Sequence, residues 1–271
     1  MPWSQTRTST TSWHFALEKP GRHPINARPE PPFRRSAARR RVILGAQLFD
    51  FPHDPVMIKA VLFDLDGTLA NTAPDLGNAL NRQRIARGLS PLPLETIRTE
   101  ASAGARGLLG LGFNIKPGDA GYDLMRAEFL DFYEERLCHD TSLFPGVAEL
   151  LEQLDLRGLP WGIVTNKPAR FTVPLLQLMG LSDRPACVVS GGDTPRSKPY
   201  PDPLLKASGV MAIDPAECIY LGDDMRDVQA SLAAGMEPVI AKYGYLGSVS
   251  APESWGARYL IDRPGELLSY L

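Results

Sequence analysis

The chain reads as α/β: a parallel, doubly wound sheet with a helical domain inserted after its first strand. Three observations predict this. From residue 58 onward, short apolar runs alternate with amphipathic helical patterns, as in strand–helix–strand units that feed a parallel sheet. Residues 73–143 interrupt that alternation with helical patterns alone. Three of the strands run straight into polar residues at their carboxyl ends, where an open parallel sheet binds ligands.

At 271 residues the chain can form one large domain, or one domain carrying a smaller inserted one. A hydrophobic content of 44% and a charged content of 22% are those of an ordinary globular protein. The formal net charge of -2 gives no electrostatic reason to expect nucleic acid or an anionic membrane as partner. No apolar run approaches the roughly 18–20 residues that a spanning helix needs. Cys138, Cys187 and Cys218 are odd in number and lack metal-site spacing. They are expected to be reduced thiols of a cytoplasmic protein.

Residues 1–56 differ from the rest. They are rich in Pro, Arg, Ser and Thr, with runs such as Pro31-Pro32-Phe33-Arg34-Arg35 and Arg39-Arg40-Arg41. Such a stretch buries too little apolar surface to offset its ordering entropy, so a disordered extension is expected. A basic, acid-poor segment also suits a transit peptide or a polyanion-binding arm. The favoured reading is an extension without function, upstream of a natural start at Met57, which immediately precedes the first clean strand pattern.

The strands are expected at 60–63, 161–164, 187–189, 218–221, 238–241 and 259–261, each short, often β-branched and bounded by Gly, Pro or Asp. Between them, Val147, Leu150, Leu151 and Leu154 recur at helical spacing after the Pro145-Gly146 turn. Asp202-Pro203 opens another helix, with Asp202 as N-cap and Pro203 in the first turn. A third runs from 227 to 234, closed by Gly235. The insertion reads as helices near 75–87, 94–101, 106–111 and 122–137, punctuated by Gly88, Pro91, Pro93 and Gly104.

The first strand ends in Asp64-Leu65-Asp66-Gly67-Thr68, the second in Thr165-Asn166-Lys167, the fourth in Gly222-Asp223-Asp224 followed by Asp227. Each alone is unremarkable: a turn in which Gly67 supplies positive φ, a helix cap, a strand-ending bend. Together they converge on one rim of the sheet. Clustered carboxylates repel each other unless a cation sits among them, and Mg²⁺ suits an all-oxygen site that retains water. Lys198 can add positive charge, and Thr165 with nearby amides can donate to phosphate oxygens. These are the parts that phosphoryl transfer requires.

In this order the four pieces resemble the haloacid dehalogenase superfamily over residues 58–271: Asp64-Leu65-Asp66-Gly67-Thr68, Thr165, Lys198 and Gly222-Asp223-Asp224-Met225-Arg226-Asp227. The resemblance implies a Rossmann-like core over 57–72 and 144–271, with a helical cap over 73–143. It implies that Asp64 attacks phosphorus to form an aspartyl-phosphate. Asp66 would protonate the leaving alkoxide and then activate water. Mg²⁺ would be held by Asp64, the main-chain carbonyl of Asp66, and Asp223, with Asp224 or Asp227 ordering its water shell. Thr165, Asn166 and Lys198 would hold the phosphate. Dehalogenases lack an acid two residues after the nucleophile, so Asp66 favours phosphate chemistry.

Thr165-Asn166-Lys167-Pro168 and Tyr243-Gly244-Tyr245 look like bacterial phosphoglycolate phosphatases. Ser102-Ala103-Gly104-Ala105-Arg106, the acidic turn and Ser254-Trp255-Gly256-Ala257 lean toward the N-acetylmuramic acid 6-phosphate phosphatases of cell-wall recycling. Either substrate is a small phosphorylated metabolite with a carboxylate; Arg106 is a candidate to grip it bidentately, and reads equally as an ordinary arginine of the cap surface. Two alternatives stay open: a phosphomutase of the same superfamily, and a non-catalytic binding protein on this fold. The expected assembly is a monomer or homodimer.

Overall fold

The computed structural model describes residues 57–247 and 250–271, and the backbone of 41–44 and 47–50. The rest of the N-terminal arm lies outside the described residues. Within that arm, where the sequence reading places no element, β1 (Arg41–Leu44) and β2 (Gln47–Asp50) pair antiparallel. Val42-Ile43-Leu44 and Leu48-Phe49 favour strands and are separated by a two-residue link. The surrounding Pro- and Arg-rich composition masks that signal. This segment belongs to a unit of its own, Met1–Pro55.

The second unit, Val56–Leu271, opens with β3 (Ala60–Phe63) and the short β4 (Ala70–Asn71). Four helices follow: α1 (Ala73–Ile85), α2 (Leu94–Ala101), α3 (Gly104–Phe113) and α4 (Tyr122–Glu134). The chain returns through β5 (Ser142–Leu143), α5 (Val147–Leu156), β6 (Trp161–Pro168), α6 (Ala169–Leu178) and β7 (Cys187–Gly191). It closes with α7 (Asp202–Met211), β8 (Cys218–Gly222), α8 (Met225–Ala234), β9 (Glu237–Ala241) and β10 (Tyr259–Ile261).

Six strands form one parallel sheet in the order β10-β9-β8-β3-β6-β7. The chain winds outward from β3 through β6 to β7, then returns to the other side of β3 and continues through β8 to β10. This is the Rossmann order, and it opens a crevice at the carboxyl ends beside β3. The register fixes what meets there. Phe63 lies opposite Ile163 on one side and Leu221 on the other. The residues that follow these three therefore emerge next to one another.

Alternation along β3 explains the two-layered core. Val61 and Phe63 join a buried cluster with Leu151, Leu154, Trp161 and Ile163. Ala60 and Leu62 face the opposite cluster with Leu204, Ala207 and Tyr220. Each large side chain so buried stabilises by about 1.5–3 kcal/mol, and the Phe63 and Trp161 rings meet edge-on at 6.2 Å.

The four inserted helices bury Leu80, Ile97, Leu108 and Phe129 in the first of these clusters. Their entry and exit are tied together. β4 pairs antiparallel with β5, two strands too short to show a period in sequence. Buried Asp75 accepts bonds from the amides of Asp140 and Thr141 and from Thr141 Oγ1 at 2.7 Å. Two local expectations change. Asp202 is the first residue of α7 rather than its cap, and its carboxylate pairs with Arg196. Pro168 and Pro174 obscure α6 in the sequence, yet Pro174 sits inside that helix.

Candidate active site

Asp64 follows β3 directly, and its amide still bonds to Leu221 O at 2.9 Å. The strand register therefore aims its buried carboxylate into the crevice. Lys198 Nζ stands 2.8 Å from Asp64 Oδ1. The ammonium is the one charged partner of that buried oxygen among the described residues. Lys198 also binds Asp227 Oδ1 at 2.7 Å, Tyr220 Oη at 2.8 Å and Val164 O at 3.1 Å. Burial alone would lower the Lys198 pKa, but the Asp227 and Asp64 carboxylates outweigh it and the pKa rises. The ammonium is thus a fixed charge.

Asp223 is fully buried beneath Asp64. It accepts from Thr68 Oγ1 at 3.1 Å, Ser102 Oγ at 2.9 Å and the Tyr245 amide at 2.9 Å. A Cβ at Gly67 or at Gly244 would overlap Asp223, and Gly67 holds φ at +90°, so backbone closes around this carboxylate where no side chain fits. Burial, then repulsion from Asp64 and Asp227, drives the Asp223 pKa well above the carboxylate range. Asp64 is pushed up to about 7, by burial first and by Asp227 and Asp66 besides, against the pull of Lys198.

The remaining acids have other partners. Asp66 accepts from Thr72 Oγ1 at 2.6 Å and from Lys167 Nζ at 2.9 Å. Lys167 lies 4.7 Å above the Tyr133 ring of α4. Asp224 caps α8 and reciprocates with Asp227 in a capping box. It is also held bidentately by Arg226 at 2.8 Å on both oxygens, and Arg226 Nη2 reaches Ser102 O at 2.9 Å. Asn166 binds the Lys198 main chain through both ends of its amide, at 3.0 and 3.1 Å, which sets the height of that lysine. Thr165 Oγ1 accepts from the Lys167 amide at 3.1 Å.

Asp64, Asp66, Thr165, Asn166, Lys198, Asp224, Asp227 and Arg106 all line one cavity of about 230 Å³, with Asp223 just behind its floor. Arg106 is exposed at the far wall, on α3. Sequence reasoning left Thr72, Tyr133 and Lys167 without roles. Lys167 carries a legible signal, standing two residues after Thr165. Tyr133 carries none, because it reads as one more apolar position of an amphipathic helix.

Among the described residues, two groups bring potential ligand atoms within 4.8 Å of one another: Asp64, Asp223 and Asp227, and Asp75, His139 and Asp140. In the second, donors from 140 and 141 already fill Asp75. The first fits a divalent metal. Three buried carboxylates stand together with one ammonium, Lys198, which pairs with Asp64 and Asp227 but leaves Asp223 without a cation, and every potential ligand atom is oxygen.

Residues 61–241 match the family described as haloacid dehalogenase-like hydrolase. The chain belongs to that family. A Pseudomonas aeruginosa relative named N-acetylmuramic acid 6-phosphate phosphatase is 39% identical over 214 residues, covering 79% of this hydrolase and 95% of the relative. A Xanthomonas campestris pv. campestris relative named phosphoglycolate phosphatase is 39% identical over 209 residues, covering 77% and 94%. A solved Haemophilus somnus 129PT structure, described as a predicted phosphoglycolate phosphatase, superposes with a TM-score of 0.70 at 27% identity, covering 78% and 96%. This hydrolase is a phosphatase. No helix among its described residues is long and apolar enough to cross a membrane.

Proposed function

We propose that this phosphatase is a cytoplasmic, magnesium-dependent phosphomonoesterase that works through an aspartyl-phosphate on Asp64, with residues 57–72 and 144–271 as catalytic core and 73–143 as cap. The observation that carries the reading is the pairing of Asp64 with Lys198 at 2.8 Å on the floor of a cavity whose wall holds Asp66. Lys198 orients one Asp64 oxygen and, with the metal, would favour its ionised form, which attacks phosphorus as a nucleophile. Asp66 protonates the departing alkoxide, then takes a proton from the water that opens the acyl phosphate. Thr72 and Lys167 fix the orientation of Asp66 for both steps. Thr165 donates its hydroxyl to a phosphoryl oxygen. Mg²⁺ on Asp64, the Asp66 carbonyl and Asp223 would neutralise charge on the transferring phosphate.

The proposed substrate is a phosphate ester that also carries a carboxylate, gripped by Arg106. Of the two substrates that name its relatives, N-acetylmuramic acid 6-phosphate is favoured over 2-phosphoglycolate. The cavity approaches the size of an ordinary small-molecule site, roughly 300 Å³ and upward. Its apolar wall of Leu76, Phe129, Leu130 and Phe171 has little to bind on a two-carbon acid. A phosphate-release screen of both esters with Mg²⁺ tests this. Faster turnover of 2-phosphoglycolate overturns the choice of substrate. An isomerised sugar phosphate in place of free phosphate makes the protein a phosphomutase.

A further inference from the structure

Five cationic side chains line the cavity, and they divide sharply. Lys167, Lys198 and Arg226 each hold a carboxylate at 2.9 Å or closer. Arg106 and Arg126 line the same cavity from α3 and α4, and among the described residues neither has an ion pair or hydrogen bond. Their own helices offer little. Arg106 has no acid three or four positions away, and the one acid so placed for Arg126, Asp123, is not engaged.

The position of Arg126 is the informative one. Tyr122, Arg126, Phe129 and Tyr133 follow one another at helical spacing, and all four line the cavity. The other three are buried aromatic residues. Arg126 itself is exposed, and with no partner of its own its guanidinium is free to take an anion that enters the cavity. The transferring phosphate already has Lys198 and the proposed metal, so the anion is a second one.

We infer that Arg126 and Arg106 together clamp a carboxylate at the end of the substrate remote from the reacting phosphate, with Arg126 a specificity-determining residue. The inference rests on the phosphomonoesterase reading above. It predicts that recognition of the carboxylate comes from the inserted helices, while the phosphate is held by the sheet.

Binding decides it without turnover. In the Asp64→Asn background, calorimetry compares N-acetylmuramic acid 6-phosphate with N-acetylglucosamine 6-phosphate, which lacks the carboxylate. The carboxylated ester is expected to bind about 10- to 100-fold more tightly, the strength of a hydrogen bond to a charged group. Adding Arg126→Met should erase most of that preference and leave the uncarboxylated ester within about twofold. Arg106→Met should do likewise, and the double variant should lose less than the product of the single losses, because both arginines hold one group. A preference that survives Arg126→Met, or its absence from the parent, overturns the clamp. If the wild type hydrolyses neither ester nor an aryl phosphate, the phosphatase mechanism falls, and the binding comparison still decides the clamp.

Discussion

Replacing Asp64 by asparagine should make the metal-free protein more stable at pH 8. Asp64 holds its proton in the folded state up to about pH 7, against an ordinary 3.8. Between those values the native state binds more protons than the unfolded chain, so stability falls as pH rises. Below about 4 both states are protonated and nothing is lost; above about 7 both are ionised and the full penalty stands. Some three pH units at about 1.4 kcal/mol each make a penalty of about 4 kcal/mol. Asparagine removes the charge, and Lys198 keeps its pair with Asp227 at 2.7 Å, so no ammonium is orphaned. Urea unfolding in EDTA, followed at pH 4, 6 and 8, measures the difference. The variant should gain a few kcal/mol at pH 8 and nothing at pH 4, and Mg²⁺ should stabilise the wild type more than the variant. Wild-type stability that is flat from pH 4 to 8, with a variant no more stable than wild type at pH 8, would refute the reasoning.

Three further outcomes are expected. Asp66→Asn should slow phosphate release by about 10²–10⁴-fold, with Mg²⁺ affinity by calorimetry nearly unchanged because its side chain faces Lys167 and Thr72. Lys198→Met should cost about 3–5 kcal/mol by denaturation at pH 8, since it strips the ammonium from buried Asp64 and Asp227; the loss should shrink as pH falls through 7 and Asp64 takes up a proton. Gly67→Ala should cost about 1–3 kcal/mol for its backbone conformation alone, and should weaken Mg²⁺ binding because its Cβ overlaps the Asp223 carboxylate.

Most of the sheet is legible before any coordinate. Ala60–Phe63 and Tyr259–Ile261 match their expected bounds, because short apolar runs bounded by turn residues have few other readings. The strand order is legible only as a class. The helix that begins at Ala169 is missed because local rules treat Pro174 as a breaker, and the packing of Phe171 and Leu175 outweighs that.

The sequence by itself determined which residue types stand at the carboxyl ends of the strands, since a two-residue period and a handful of turn signals place them there. Tertiary structure alone decided their partners. Lys198 could have been a solvated surface lysine; β3 and β8, side by side, put it between Asp64 and Asp227. Ser102 and Tyr133 reach Asp223 and Lys167 across the inserted helices, over separations in sequence that no local pattern spans. Propensity and period act over a few residues, whereas charge balance, burial and an unpaired guanidinium such as that of Arg126 exist only once the chain has brought distant groups within a few ångströms.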